Sequence, residues 1–334
     1  MNQTTDTNKD AVTIGEILPD VIEEIKGTSN EKAFIEANTV DSNLEAIRNE
    51  HIIPVFIKDN EPVISHAEFI DTTFDAVSRV FNGEAILKPN IRLSHPIKGR
   101  IPEAKKKPAN ELLEHEKTIY YERMAFVIEV PTIQAEVGGN LLNLTIGGVK
   151  AYNLDNLYNR SGADQHFKVF IGFQNTVCTN LCVATDGLLS QLKVKNAEQL
   201  QYAINGMLQD YNAIQFAEQL KSFDDYELTE KQFVHLIGRC RLYKHMPDSL
   251  KSDIPELSFG DYQINAVCKD YYSDANFKSF ADGSINLWKL YNLFTAANKS
   301  TYIDNFLDRS VNAFQLAKDL QYALQNSTRC WYLN

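Results

Sequence analysis

The chain has 334 residues, 44% of them hydrophobic, and a net charge of −11. This is the balance of a globular chain, and it stands against a generic nucleic-acid coat protein, whose affinity comes from neutralising phosphates. No run approaches the roughly 18 apolar residues of a membrane span, and the polar start "MNQTTDTNKD" lacks the apolar core of an export signal.

Cysteine usage points the same way. Cys178, Cys182, Cys240, Cys268 and Cys330 are odd in number and irregular in spacing. A disulfide framework is not expected, and the thiols read as buried hydrophobes in a reducing cytoplasm. Cys178 and Cys182 lack the tighter spacing and second ligand pair of a structural zinc site, so neither metal nor cofactor is expected.

In chain order, residues 1–50 are polar and acidic and predict a mobile arm. Residues 51–188 predict a mainly β region. It opens on a hairpin, "HIIPVFIKDNEPVISH", turning at Lys58-Asp59-Asn60-Glu61. Ile70, Phe74, Val77 and Phe81 lie at helical spacing, and Asn82-Gly83 ends that helix.

Residues 88–108 change character. They hold five lysines, two arginines, one glutamate and four prolines. Proline density argues against a central strand or a regular helix, so an extended basic surface loop is expected. After it, "TIYYERMAFVIEVPTIQAEVGGNLLNLTIGGVKAYN" reads as two strands joined at Gly138-Gly139-Asn140. "QHFKVFIGFQN" supplies further strand.

Residues 189–334 switch to helical periodicity and predict a helical region packed on the sheet. A long helical stretch follows Asn196, with a break expected near Gly206. Thr229 and Gln232 form a capping box ahead of "FVHLIGRCRLY". "INLWKLYNLFTAANK" and "NAFQLAKDLQYALQ" give two more helices. Strands followed by helices predict an α+β fold with a mainly antiparallel central sheet.

"IRLSHPIKGRIPEAKKKPANELLEHEKTIYYERMAF" and "HFKVFIGFQNTVCTNLCVATDG" resemble a family of uncharacterised proteins from mobile elements of gut anaerobes, domain of unknown function 3871. A second resemblance is to phage- and plasmid-like proteins with a Cys-Gln-Asn-Thr box and a later Trp-containing helix. Gln174, Asn175 and Thr176 match that box, with Phe173 in place of its cysteine. Trp288, Tyr291, Asn292 and Thr295 fall on the later motif, but Ala296 and Asn298 replace its acidic residue and histidine. The resemblance implies life on a mobile element and a link to DNA processing.

The candidate nucleic-acid contacts follow from charge and strand geometry. Arg92, Lys98, Arg100, Lys105, Lys106 and Lys107 could track a phosphate backbone. His166, Lys168 and Gln174 alternate onto one strand face, and with Asn175 could line a groove. A satisfied strand end is the competing account of the two amides. Arg239 and Arg241, beside His235, could form a basic helix face, although a solvated flank is commoner.

The leading expectation is a non-enzymatic protein binding single-stranded or structured nucleic acid in replication, recombination or transfer. Its rivals are a protein-interaction module acting on a host factor such as a defence protein, and an enzyme with a site near His166, Gln174 and Asp186.

Overall fold

The computed structural model describes residues 33–50, 53–54, 63–156 and 163–333. Residues 1–32 of the expected arm, and ten of the sixteen residues of the hairpin expected at 51–66, its turn included, lie outside these. Among the described residues the strands are β1 (Thr39–Ser42), β2 (Asn90–Ser94), β3 (Pro96–Arg100), β4 (Lys117–Tyr121), β5 (Arg123–Val137), β6 (Asn140–Ala151), β7 (Gln165–Asn175), β8 (Leu181–Cys182), β9 (Leu188–Val194), β10 (Glu227–Leu228) and β11 (Ile285–Asn286). The helices are α1 (Leu44–Glu50), α2 (His66–Val80), α3 (Tyr152–Asn156), α4 (Ala197–Asp210), α5 (Ala213–Ser222), α6 (Glu230–His245), α7 (Asp261–Ser273), α8 (Leu287–Asn298) and α9 (Ile303–Asn326). The protein is α+β, with a curled antiparallel sheet in the N-terminal half and helices toward the C-terminus.

The main sheet runs β1-β2-β5-β6-β7-β8, and β9 also pairs with β7. Its backbone is the β5–β6 hairpin. Gly138 and Gly139 turn it with φ of +54° and +74°, the positive pair that a two-residue hairpin turn requires. A register break between Val130 and Gln134 holds Pro131, which cannot donate to the ladder and is confined to such irregularities.

Period-two alternation sends each strand's side chains to two different cores. Phe167, Val169, Ile171 and Phe173 join the larger core, with Phe69 of α2, Ile204 of α4 and Leu220 of α5. Phe170, Val127 and Val149 face the other way, against Phe34, Ile35 and the first turns of α9 at Ile303, Phe306 and Leu307. The sheet is thus covered on both sides at its centre, which is why the middle of β7 is apolar at every position.

Local signals set the helix ends. Ser65 caps α2 in a reciprocal box with Glu68, and the expected Thr229–Gln232 box opens α6. The long helical stretch does not break at Gly206, which faces open space. It breaks after Asp210, where the Asn212 side chain accepts from the Gln215 amide at 3.0 Å and starts α5.

Two expectations are corrected. Residues 33–50 are not a loose arm. β1 pairs with β2, and Phe34 and Ile35 are buried because the second core would otherwise be open to water. Residues 88–108 are a loop only in their last part, 101–108. Before it they form β2 in the main sheet and then β3, which pairs with β4 as a separate two-stranded sheet. Pro89 and Pro96 stand just before β2 and at the first position of β3, where a missing amide donor is tolerated.

Candidate functional site

Several of the predicted cations are consumed by the fold. Arg92 donates from Nε to the Thr39 hydroxyl at 3.1 Å and from Nη2 to the Thr39 carbonyl at 3.0 Å, tying β2 to β1. Arg100 donates to the Lys107 carbonyl, and Lys107 pairs with Glu116. The Lys107 ammonium and the Leu113 amide hold Glu116 below the usual carboxylate range. Glu116, which answers Lys107, comes from the segment just after the basic run, where Glu114 pairs with its neighbour Lys117. Lys98, Lys105 and Lys106 are exposed on the β3–β4 arm.

The Gln-Asn-Thr box is not an exposed edge. Gln174 and Asn175 are buried, because β7 ends there in a tight polar turn. Gln174 Nε2 donates to the Thr179 carbonyl at 3.2 Å, and Asn175 Oδ1 accepts from the Val177 amide at 2.9 Å. The turn is sewn to the later motif. Asn180 donates to the Asn292 carbonyl at 3.1 Å, and Lys299 donates to the Cys178 carbonyl and the Thr179 hydroxyl. The two sequence motifs therefore meet in space as an internal polar network, which satisfies buried backbone groups.

On α6, Arg239 lies 4.8 Å from the Trp331 ring and donates to His235 at 3.1 Å, while Arg241 bonds Asn265 on α7. The first ties α6 to the C-terminal tail, the second lies within α6, and the third joins α6 to α7. His166, Gln174 and Asp186 do not converge. His166 and Gln174 are eight residues apart on β7, about 26 Å at the usual rise, and Asp186 sits on an exposed turn.

The opposite end of β7 opens onto a cleft of about 480 Å³. His166 and Lys168 line it from β7, Gln191 and Lys193 from β9, and Asp304 and Asp308 from α9. Lys168 donates to the Asp304 carbonyl at 2.6 Å and pairs with Asp308. Asp304 pairs in turn with Arg123 at 2.7 Å. Arg123 is the first residue of β5 and the register partner of Ala151, another lining residue, so the cleft adjoins the root of the β3–β4 arm.

Behind the cleft lies a charge pair that the sequence reading missed. Lys150 is fully buried and donates to Asp155 at 3.1 Å and to Gln165 Oε1 at 3.3 Å. Its ammonium also lies 4.1 Å from the Phe167 ring centre. Burial pushes the Lys150 pKa down, and Asp155 opposes that shift. Asp155 also accepts the His166 amide at 2.9 Å and lies 3.5 Å from His166 Nδ1. A single lysine in "GGVKAYN" carries no periodicity that would mark it as internal.

Among the described residues no group of three or more potential metal ligands occurs, and no helix is long and apolar enough to cross a membrane. Fold and site together define an α+β protein on a curled antiparallel sheet, with a basic hairpin and a charged cleft at one end. Residues 18–333 match the family described as "Domain of unknown function, B. Theta Gene description (DUF3871)", and the chain belongs to that family. No curated protein and no solved structure matches the chain.

Proposed function

We propose that the protein binds nucleic acid, single-stranded or structured, along the end of the sheet shared by the β3–β4 arm and the cleft. One observation carries this reading. The arm stands apart from the main sheet as its own hairpin and holds Lys98, Lys105 and Lys106 exposed, beside the cleft that contains His166 and Lys168. Phosphate attraction acts through the local field, so a net charge of −11 elsewhere on the surface does not oppose it. In this reading the protein serves a mobile element in replication, recombination or transfer, in the cytoplasm, without chemistry of its own. The mobile-element part rests on the sequence resemblance alone.

The test is fluorescence anisotropy with labelled single-stranded DNA, duplex DNA and RNA over a salt series. Affinity that falls steeply with salt supports the reading. Absence of binding at low salt removes it.

A second reading, a protein-partner function, is favoured by exposed Val234 and Leu242 on α6 and Tyr262 and Tyr272 on α7. Exposed apolar side chains gathered on neighbouring helices suit a protein surface. Binding of host proteins that is lost when Val234 and Leu242 become Ser would support it.

A further inference from the structure

We propose that the cleft beside His166 binds the phosphate group of a ligand about the size of a nucleoside monophosphate. His166 and Lys168 stand two apart on β7 and so share a face. Lys193 on β9 is the register partner of His166. An imidazole and an ammonium directly opposed across two strands can both donate to one anion placed between them.

The imidazole is held in place from behind. Asp155 holds the start of β7 through the His166 amide and approaches Nδ1, and the buried Lys150 fixes Asp155. Nε2 lies on the far side of the ring from that carboxylate. Such rigid support is what a binding constellation needs to hold its geometry.

The lining offers an anion several donors. The cations that line the cleft among the described residues are Lys168 and Lys193, with the His166 imidazole beside them. Lysine serves phosphate as a point charge. Asp304 and Asp308, on the facing wall, are matched by Arg123 and Lys168, which tempers their repulsion of an anion. Val149 and Leu154 add apolar surface against which a sugar or base can rest. A volume of about 480 Å³ falls within the range of small-molecule sites.

The phosphate has two possible sources, a free nucleotide or the 5′ end of a strand. The second source rests on the nucleic-acid reading above, and the first does not. The experiment is calorimetric titration of AMP into the full chain at low ionic strength, with Lys193→Ala and Lys105→Ala/Lys106→Ala for comparison. Lys193 is exposed, so its removal tests the cleft without emptying a core position. In parallel, 5′-phosphorylated and 5′-hydroxyl oligonucleotides are compared by anisotropy.

AMP is expected to bind the wild type below about 1 mM, and about tenfold more weakly after Lys193→Ala. The arm variant should bind AMP as the wild type does. Preference for the 5′-phosphorylated strand, lost in Lys193→Ala, supports the strand-borne source. AMP binding without that preference supports the free source. The proposal is overturned if AMP does not bind at millimolar concentration and the two oligonucleotides bind alike, or if Lys193→Ala leaves AMP affinity unchanged. Oligonucleotide binding that survives such a failure keeps the nucleic-acid reading intact. AMP binding without oligonucleotide binding removes that reading and keeps the cleft.

Discussion

The Lys150 ammonium lies 3.1 Å from the Asp155 carboxylate, and the lysine side chain has no solvent exposure at all. Two charges taken out of water need each other, because the desolvation cost of either alone exceeds any packing gain. The pair also positions the start of β7, since Asp155 accepts the His166 amide.

Asp155→Asn is therefore expected to destabilise the protein by about 3–5 kcal/mol, by leaving Lys150 buried without its counter-charge. Lys150→Met with Asp155→Asn should cost less than the sum of the two single changes. Urea unfolding of the four proteins measures the coupling, and strict additivity would show that the pair contributes nothing.

The same lysine makes stability depend on pH. Its folded-state pKa is lowered, with burial as the leading cause. Between that value and the unfolded value of about 10.4, the unfolded chain binds more protons, so stability rises with pH. Below that window the cost of keeping a buried ammonium is fully present. Unfolding of wild type and Lys150→Met at several pH values from about 8 to about 10 should show the wild type gaining on the variant. A constant difference would contradict the assignment.

The β5–β6 turn separates backbone strain from crowding. A Cβ on Gly138 would fall 2.5 Å from Trp288 Cδ1, at a φ of +54°. One on Gly139 would meet nothing within 4 Å, at a φ of +74°. Gly139→Ala should cost about 1–2 kcal/mol, the price of the left-handed backbone. Gly138→Ala should cost more, because the indole must also move, and thermal melts would rank the two.

The cations of residues 88–108 divide by exposure. Lys105→Ala/Lys106→Ala, at exposed positions on the arm, should lower the salt slope of nucleic-acid binding by roughly one for each phosphate these lysines neutralise. Arg92→Ala should do the reverse, lowering stability by removing the Thr39 bonds while leaving the slope alone. An unchanged slope in the lysine variant would remove the arm from the interface.

Thiol chemistry checks the packing independently. Burial pushes the Cys240 thiol up to about 12, and Cys182 is raised further by the same cause. Cys178 and Cys268 are only partly covered. Native alkylation should label those two first, since they are the thiols a reagent can reach. Early labelling of Cys182 would mean that the turn after β7 opens.

Much of the architecture was legible because its causes are local. The Thr229–Gln232 box, the Gly138–Gly139 turn and the helical spacing through Val77 each act within a few residues, and each appears in the fold as read. The break expected at Gly206 shows the limit of that logic. A glycine weakens a helix, but the Asn212 cap decides where the chain leaves it.

The site was legible only in part. His166 and Lys168 do line a cleft, whereas Gln174 and Asn175 on the same strand are sealed inside. Strand periodicity assigns a face, but it does not say which stretch of that face another element covers. Here the first turns of α9, with Phe34 and Ile35, cover the middle of β7 and leave only its first residues open.

By itself, the amino-acid sequence determined the succession of a strand-rich half and a helical half, the Thr229–Gln232 cap, the Gly138–Gly139 turn, and the family to which the chain belongs. The tertiary structure alone decided which charges remain available. Arg92 meets Thr39 across 53 positions, and Lys168 meets Asp308 across 140. Lys150 is buried against the Tyr152 and Phe167 rings, the Asp155 carboxylate and the Gln165 side-chain amide. Pairing and desolvation depend on distance through space, and the chain brings those groups together only when it folds.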